Sequence, residues 1–156
     1  MKFLVSHDRQ LSPLLRQLMI AVLIGIAVYD AMDVMLHALT FGISPQDVLK
    51  TVYGDEADFV EPILSQTLLM QVHIDLFLGL FVVLTLSAMA VRLLETGRMK
   101  RLVIHMLDLF GLLTPLVLLL AYFSHAMLIL VWYGAFLFWH LWVSGVVFVL
   151  IKKVMQ

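Results

Sequence analysis

Asp30, Asp33 and His37 stand at i, i+3 and i+7 in the stretch Tyr29-Asp30-Ala31-Met32-Asp33-Val34-Met35-Leu36-His37. That spacing puts all three on one face of a helix. Two carboxylates and an imidazole inside an apolar segment are costly unless they are paired, protonated or bound to a ligand. Asp33 and His37, four residues apart, can point at one metal ion. A mixed carboxylate–imidazole set suits copper, iron or zinc better than magnesium.

Other residues extend this chemistry. Gln66, Met70 and His73 also share a helical face by spacing, and Met35, Met70 and Met127 lie near histidines in the sequence, as Cu(I) ligation would require. The expected metal set is Asp30, Asp33, His37 and His73. A second reading is b-type haem, which needs imidazoles on different helices at similar depth. His37, His73, His125 and His140 supply one histidine per apolar run. Depth allows His73 to pair with His140, and His37 with His125. Asp30 or Asp33 is then placed to accept the Nδ1–H of a ligating imidazole. A third reading is proton relay through Asp30, Asp33, Asp75 and His73. His73 and Asp75 are two residues apart and face opposite ways, so Asp75 needs a partner from another helix or chain. His105 and Asp108 pair near the opposite end.

The elements that must position these groups are long apolar helices. The chain has 156 residues, 63% hydrophobic and 13% charged, with mean hydropathy +1.04. Soluble domains carry about 45–50% apolar and about 25% charged residues. The composition therefore indicates an integral membrane protein, and nothing in it points to nucleic acid. The absence of cysteine excludes disulfides, thiolate metal sites, iron–sulfur clusters and covalently attached haem. Residues 1–11 form a short polar-to-basic lead without the features of a cleavable signal.

The expected fold class is all-α, a membrane four-helix bundle in one domain. Its helices run over about 14–42, 63–94, 102–122 and 127–151, each long enough for a bilayer core. Ser12-Pro13 and Ser44-Pro45 mark helix starts, the second opening a short interfacial helix, and Pro115 marks a kink. Lys2, Arg9, Arg16, Arg92, Arg98, Lys100, Arg101, Lys152 and Lys153 fall on one side, opposite an acidic loop over 43–62. The positive-inside rule puts both termini in the cytoplasm and the chain in the cell inner membrane. The acidic loop is suited to a basic periplasmic cytochrome.

Four histidine-bearing helices over 14–151 resemble small bacterial membrane b-type cytochromes and the membrane anchors of respiratory complexes. The resemblance is one of architecture; the histidine-and-aromatic pattern that often opens the first helix of those families is absent. It implies haem b held by histidine pairs and a quinone site near one face. The expected function is electron transfer between quinone and an extracytoplasmic partner, within a larger complex or a homo-oligomer in the lipid bilayer. The alternatives are a non-catalytic scaffold subunit and a membrane metal-site protein.

Overall fold

The computed structural model describes residues 12–156; the basic lead with Lys2 and Arg9 lies outside the described residues. The described chain is all-α: α1 (Pro13–Phe41), α2 (Pro45–Tyr53), α3 (Ser65–Leu93), α4 (Arg98–Phe123) and α5 (Leu128–Met155). All but α2 are long and apolar enough to cross a membrane.

Local chemistry explains the boundaries. The Ser12 hydroxyl accepts the Leu15 N–H at 3.3 Å, and Pro13 occupies the first turn, where its missing N–H costs nothing. Gly42 ends α1 at φ 96°, a left-handed conformation that glycine adopts without a Cβ clash. Ser44 and Asp47 form a reciprocal capping box at the start of α2. The expected third span, 102–122, begins earlier, at Arg98. Arg98, Lys100 and Arg101 thus belong to the first helical turn, and only a short turn joins α3 to α4.

α4 packs between α3 and α5, and α1 packs against α5. α2 lies across the end formed by α1 and α5. Tyrosines fasten this end: Tyr133 donates to the Ile43 carbonyl at 2.8 Å, Tyr122 to the Ile63 carbonyl, and Tyr53 to the Ala121 carbonyl. At the opposite end the Arg16 guanidinium donates to the Val154 carbonyl at 2.6 Å, tying α1 to α5.

Pro115 stays inside α4 without ending it. Having no N–H, it leaves the Gly111 carbonyl without its helical donor. That carbonyl faces Gly79 of α3, where an added Cβ would lie 3.3 Å from the oxygen. The glycine is what allows α3 to approach so closely.

Two apolar cores fill the bundle. One holds Leu23, Leu86, Leu107 and Leu150 toward the basic end. The other holds Phe41, Leu68, Leu118 and Ile129 toward the α2 end. Large apolar side chains also cover the outside, among them Phe77, Phe81 and Leu141. A helix apolar all round belongs in lipid or in a larger core, not against water.

Candidate functional site

Between the two cores lies a chain of polar side chains from α1, α3 and α5. It starts at Gln71, which donates to Asp75 Oδ1 at 2.8 Å. Asp75 Oδ2 lies 3.1 Å from His37 Nε2. His37 Nδ1 is 3.0 Å from the Asp33 carbonyl and 3.5 Å from its Oδ1. Asp33 Oδ2 faces His140 Nε2 at 3.5 Å. His140 Nδ1 meets Asp30 Oδ1 at 2.8 Å, and Ser144 donates to Asp30 Oδ2 at 2.8 Å.

The helical periods account for this assembly. Asp30, Asp33 and His37 share one face of α1. Gln71 and Asp75 on α3, and His140 and Ser144 on α5, are i, i+4 pairs whose side chains stack on a common face. Asp30, His37 and His140 are buried, and Asp33 and Asp75 nearly so. No Lys or Arg pairs with these three carboxylates among the described residues.

The donor assignments are chemically informative. His37 Nδ1–H donates to the Asp33 backbone carbonyl, which fixes that tautomer and turns Nε2 toward Asp75. A lone pair facing a carboxylate oxygen at 3.1 Å is repulsive unless a proton or a cation lies between them. His140 repeats the pattern: its Nδ1–H donates to Asp30, so Nε2 faces Asp33. At 3.5 Å and without a hydrogen bond, that buried nitrogen is unsatisfied. A carboxylate on the far nitrogen of an imidazole is the arrangement that orients metal-ligating histidines.

Asp33, His37 and Asp75 each offer one ligand atom, all within 4.8 Å of one another. Four ligands in a tetrahedron around a zinc-sized ion lie about 3.3 Å apart. The group is thus slightly expanded from a closed coordination shell. His140 borders the same small, partly open cavity of about 20 Å³, lined also by Tyr29, Gly79, Gly111, Thr114, Pro115 and Trp139. One water or ion needs about 10–15 Å³, so the space takes a single small occupant.

The other candidates lie elsewhere. His73, two residues from Asp75, is exposed on the outer face of α3, as are Gln66 and Met70. His125 sits exposed in the short α4–α5 turn, and His105 is exposed on α4. The pairings of His73 with His140 and of His37 with His125 are not formed. His37 and His140 instead share one polar chain. Met35, Met70 and Met127 are 60–73% exposed and away from the cavity, so no thioether joins the cluster. Gln71 and Ser144 are members that residue chemistry alone did not single out. Their i, i+4 spacing to Asp75 and His140 is the signal that points to them.

The acidic loop is partly neutralised from within. Lys50 on α2 bridges Asp55 at 2.9 Å and also Asp58. These bonds hold the Asp55 carboxyl below the usual carboxylate range and raise the Lys50 ammonium above its usual value. Hydrogen bonds from Ser44 likewise lower Asp47.

No family model, curated protein or solved structure matches this chain.

Proposed function

We propose that this protein is a four-span inner-membrane protein, termini in the cytoplasm, that holds one non-haem iron ion between its helices. Its role is to carry electrons as a subunit of a larger membrane complex. His37 Nε2, His140 Nε2 and the carboxylates of Asp33 and Asp75 are the ligands. Asp30 and Ser144 orient His140, and Gln71 orients Asp75. Orientation across the bilayer follows from Arg16, Arg92, Arg98, Lys100, Arg101, Lys152 and Lys153 at one end and the acidic 43–62 loop at the other.

The observation that carries this reading is His140 Nε2, buried, unpaired and aimed at a carboxylate in a cavity fit for one ion. Charge supports it too. Three carboxylates in an apolar bundle, without a paired Lys or Arg among the described residues, are balanced in large part by one divalent cation. Two imidazoles with carboxylates form a donor set suited to iron, and bound iron supplies the one-electron redox change. The distance of the methionines from the site argues against Cu(I).

Haem b does not fit these residues. A space of about 20 Å³ takes no macrocycle, and His73 and His125 turn outward.

The test is metal analysis of the purified full-length protein with an optical redox spectrum. The expected result is one iron per chain, lost in His140→Ala and Asp33→Ala, with no Soret band. Stoichiometric zinc would refute electron transfer while keeping the site. A Soret band with haem at stoichiometry would refute the metal-ion reading altogether.

A further inference from the structure

The long helices hold four carboxylates. Asp30, Asp33 and Asp75 belong to the polar chain. The fourth, Asp108 on α4, is half-buried, and among the described residues it makes no hydrogen bond or ion pair. His105, three residues earlier, is exposed and equally unpaired. Their spacing predicts a pair within α4, and the structure does not form it.

Depth makes this costly. At about 1.5 Å per residue, His105 lies about 10 Å and Asp108 about 15 Å from the start of α4 at Arg98. α4 has 26 residues, so it exceeds a hydrocarbon core of about 30 Å by about 4–5 Å at each end. Both groups therefore lie below the headgroups, where no water solvates them. An aspartate is too short to reach the surface as long Lys and Arg side chains do. The outward side of α4 is otherwise apolar, with Leu102, Leu109, Leu112 and Leu116 exposed. Apart from basic residues at the helix ends, the exposed positions of α1 and α5 hold no Asp, Glu, Lys, Arg or His, and those of α3 hold only His73. The outward side of α4 alone puts an acid beside a base.

We infer that this side of α4 packs against the same side of a second copy, forming a two-fold dimer in the membrane in which His105 of each copy meets Asp108 of the other. In a two-fold interface every contact between two different residues is made twice. The two residues differ in depth by about 4.5 Å, a gap their side chains can span. Two copies in the same orientation thus set acid against base twice. A different subunit would have to supply its own base and acid at these depths, whereas a second copy brings both. The leucines close the rest of the interface, and the polar pairs join the helices as they do in membrane bundles generally. The dimer rests on the membrane placement proposed above and not on the metal site.

The chain has no cysteine, so a single introduced one reports a single contact. The test is thiol oxidation of single-cysteine variants of the full chain in the membranes of the expressing cells. Leu109→Cys and Leu116→Cys should give crosslinked dimers. Val28→Cys on α1 and Leu141→Cys on α5, also exposed, should stay monomeric. In the Leu109→Cys background, His105→Ala and Asp108→Asn should each reduce the crosslink. His105→Asp combined with Asp108→His should restore it, which shows that the losses are not misfolding. Equal crosslinking at all four positions means random collision and overturns the inference. So does a crosslink indifferent to both single variants, or one made to a different protein. Protein that alkaline carbonate strips from the membrane refutes the membrane placement and the dimer with it. Membrane-integral protein without the α4 crosslinks refutes the dimer alone.

Discussion

Asp30→Asn is the sharpest test of the polar cluster, because it changes charge and hydrogen bonding while keeping shape. Asp30 is not one of the four proposed ligands; it acts through one of them, His140. Its Oδ1 accepts from His140 Nδ1 at 2.8 Å, and its Oδ2 is held by Ser144 at 2.8 Å. The carboxylate therefore does two things: it selects the tautomer that bares Nε2, and it makes the ring a stronger donor to a bound metal. An asparagine can do the first weakly, and only with its oxygen toward Nδ1. It cannot do the second. Loss of such a partner typically weakens metal binding 10–100-fold, which is about 1.4–2.8 kcal/mol. The assay is competitive titration of iron into metal-free protein against a chelator of known affinity. Asp30→Asn should weaken binding within that range. Ser144→Ala should do less, since Asp30 keeps its imidazole. His140→Ala should do more, since it removes a ligand. Unchanged affinity in Asp30→Asn with an intact fold would refute the assigned role of His140 Nε2. His73→Ala, on the exposed face of α3, is the control that leaves affinity unchanged.

Gly111→Ala should destabilise the bundle by about 1–3 kcal/mol through overpacking, because the new Cβ would lie 2.6 Å from Val83 Cγ2 and 3.0 Å from the Trp139 ring. Gly25→Ala, with nothing within 4 Å of the new atom, should be neutral or slightly stabilising; thermal unfolding in one detergent compares the two. Ser44→Ala should remove the α2 capping box at a cost of about 1 kcal/mol, seen as faster amide exchange over Pro45–Tyr53. The Lys50 bridges give the loop a pH window. Asp55 is lowered, so its contribution is complete above the ordinary carboxylate value of about 4 and fades as pH falls through its folded value. Lys50 is raised, so its contribution is complete below about 10.5 and fades only at higher pH. Protection of the Asp55 and Val60 amides, which pair with each other's carbonyls, taken relative to the intrinsic exchange rate at each pH, should be steady between those limits and fall on acidification. Protection that does not fall on the acid side would refute that account.

How far the site could be read in advance depends on whether its geometry is local. The shared face of Asp30, Asp33 and His37 is a property of one helix, so spacing alone reveals it. The opposed directions of His73 and Asp75 are local too, and with them the need of Asp75 for a partner on another helix. His37 is that partner, and this depends on how α1 and α3 meet. The same holds for His140. Its depth is countable from the end of its helix, but its bond to Asp30 depends on the rotation of α5 against α1. Burial of a histidine is equally non-local. His37, His73, His125 and His140 are alike in composition terms, yet two face the interior and two do not.

The sequence by itself determined four long apolar helices, the acidic and basic poles, and the cost of placing Asp30, Asp33 and His37 among apolar neighbours. Those follow from hydropathy, capping residues and a period of 3.6, which act over a few residues. Only the tertiary structure decided that α5 supplies His140, that Asp75 closes the cluster, and that Gly79 meets the freed Gly111 carbonyl. Helix rotation and register are set by the packing of the whole interface, where each ring and methyl must find space. No stretch of the chain carries that information alone.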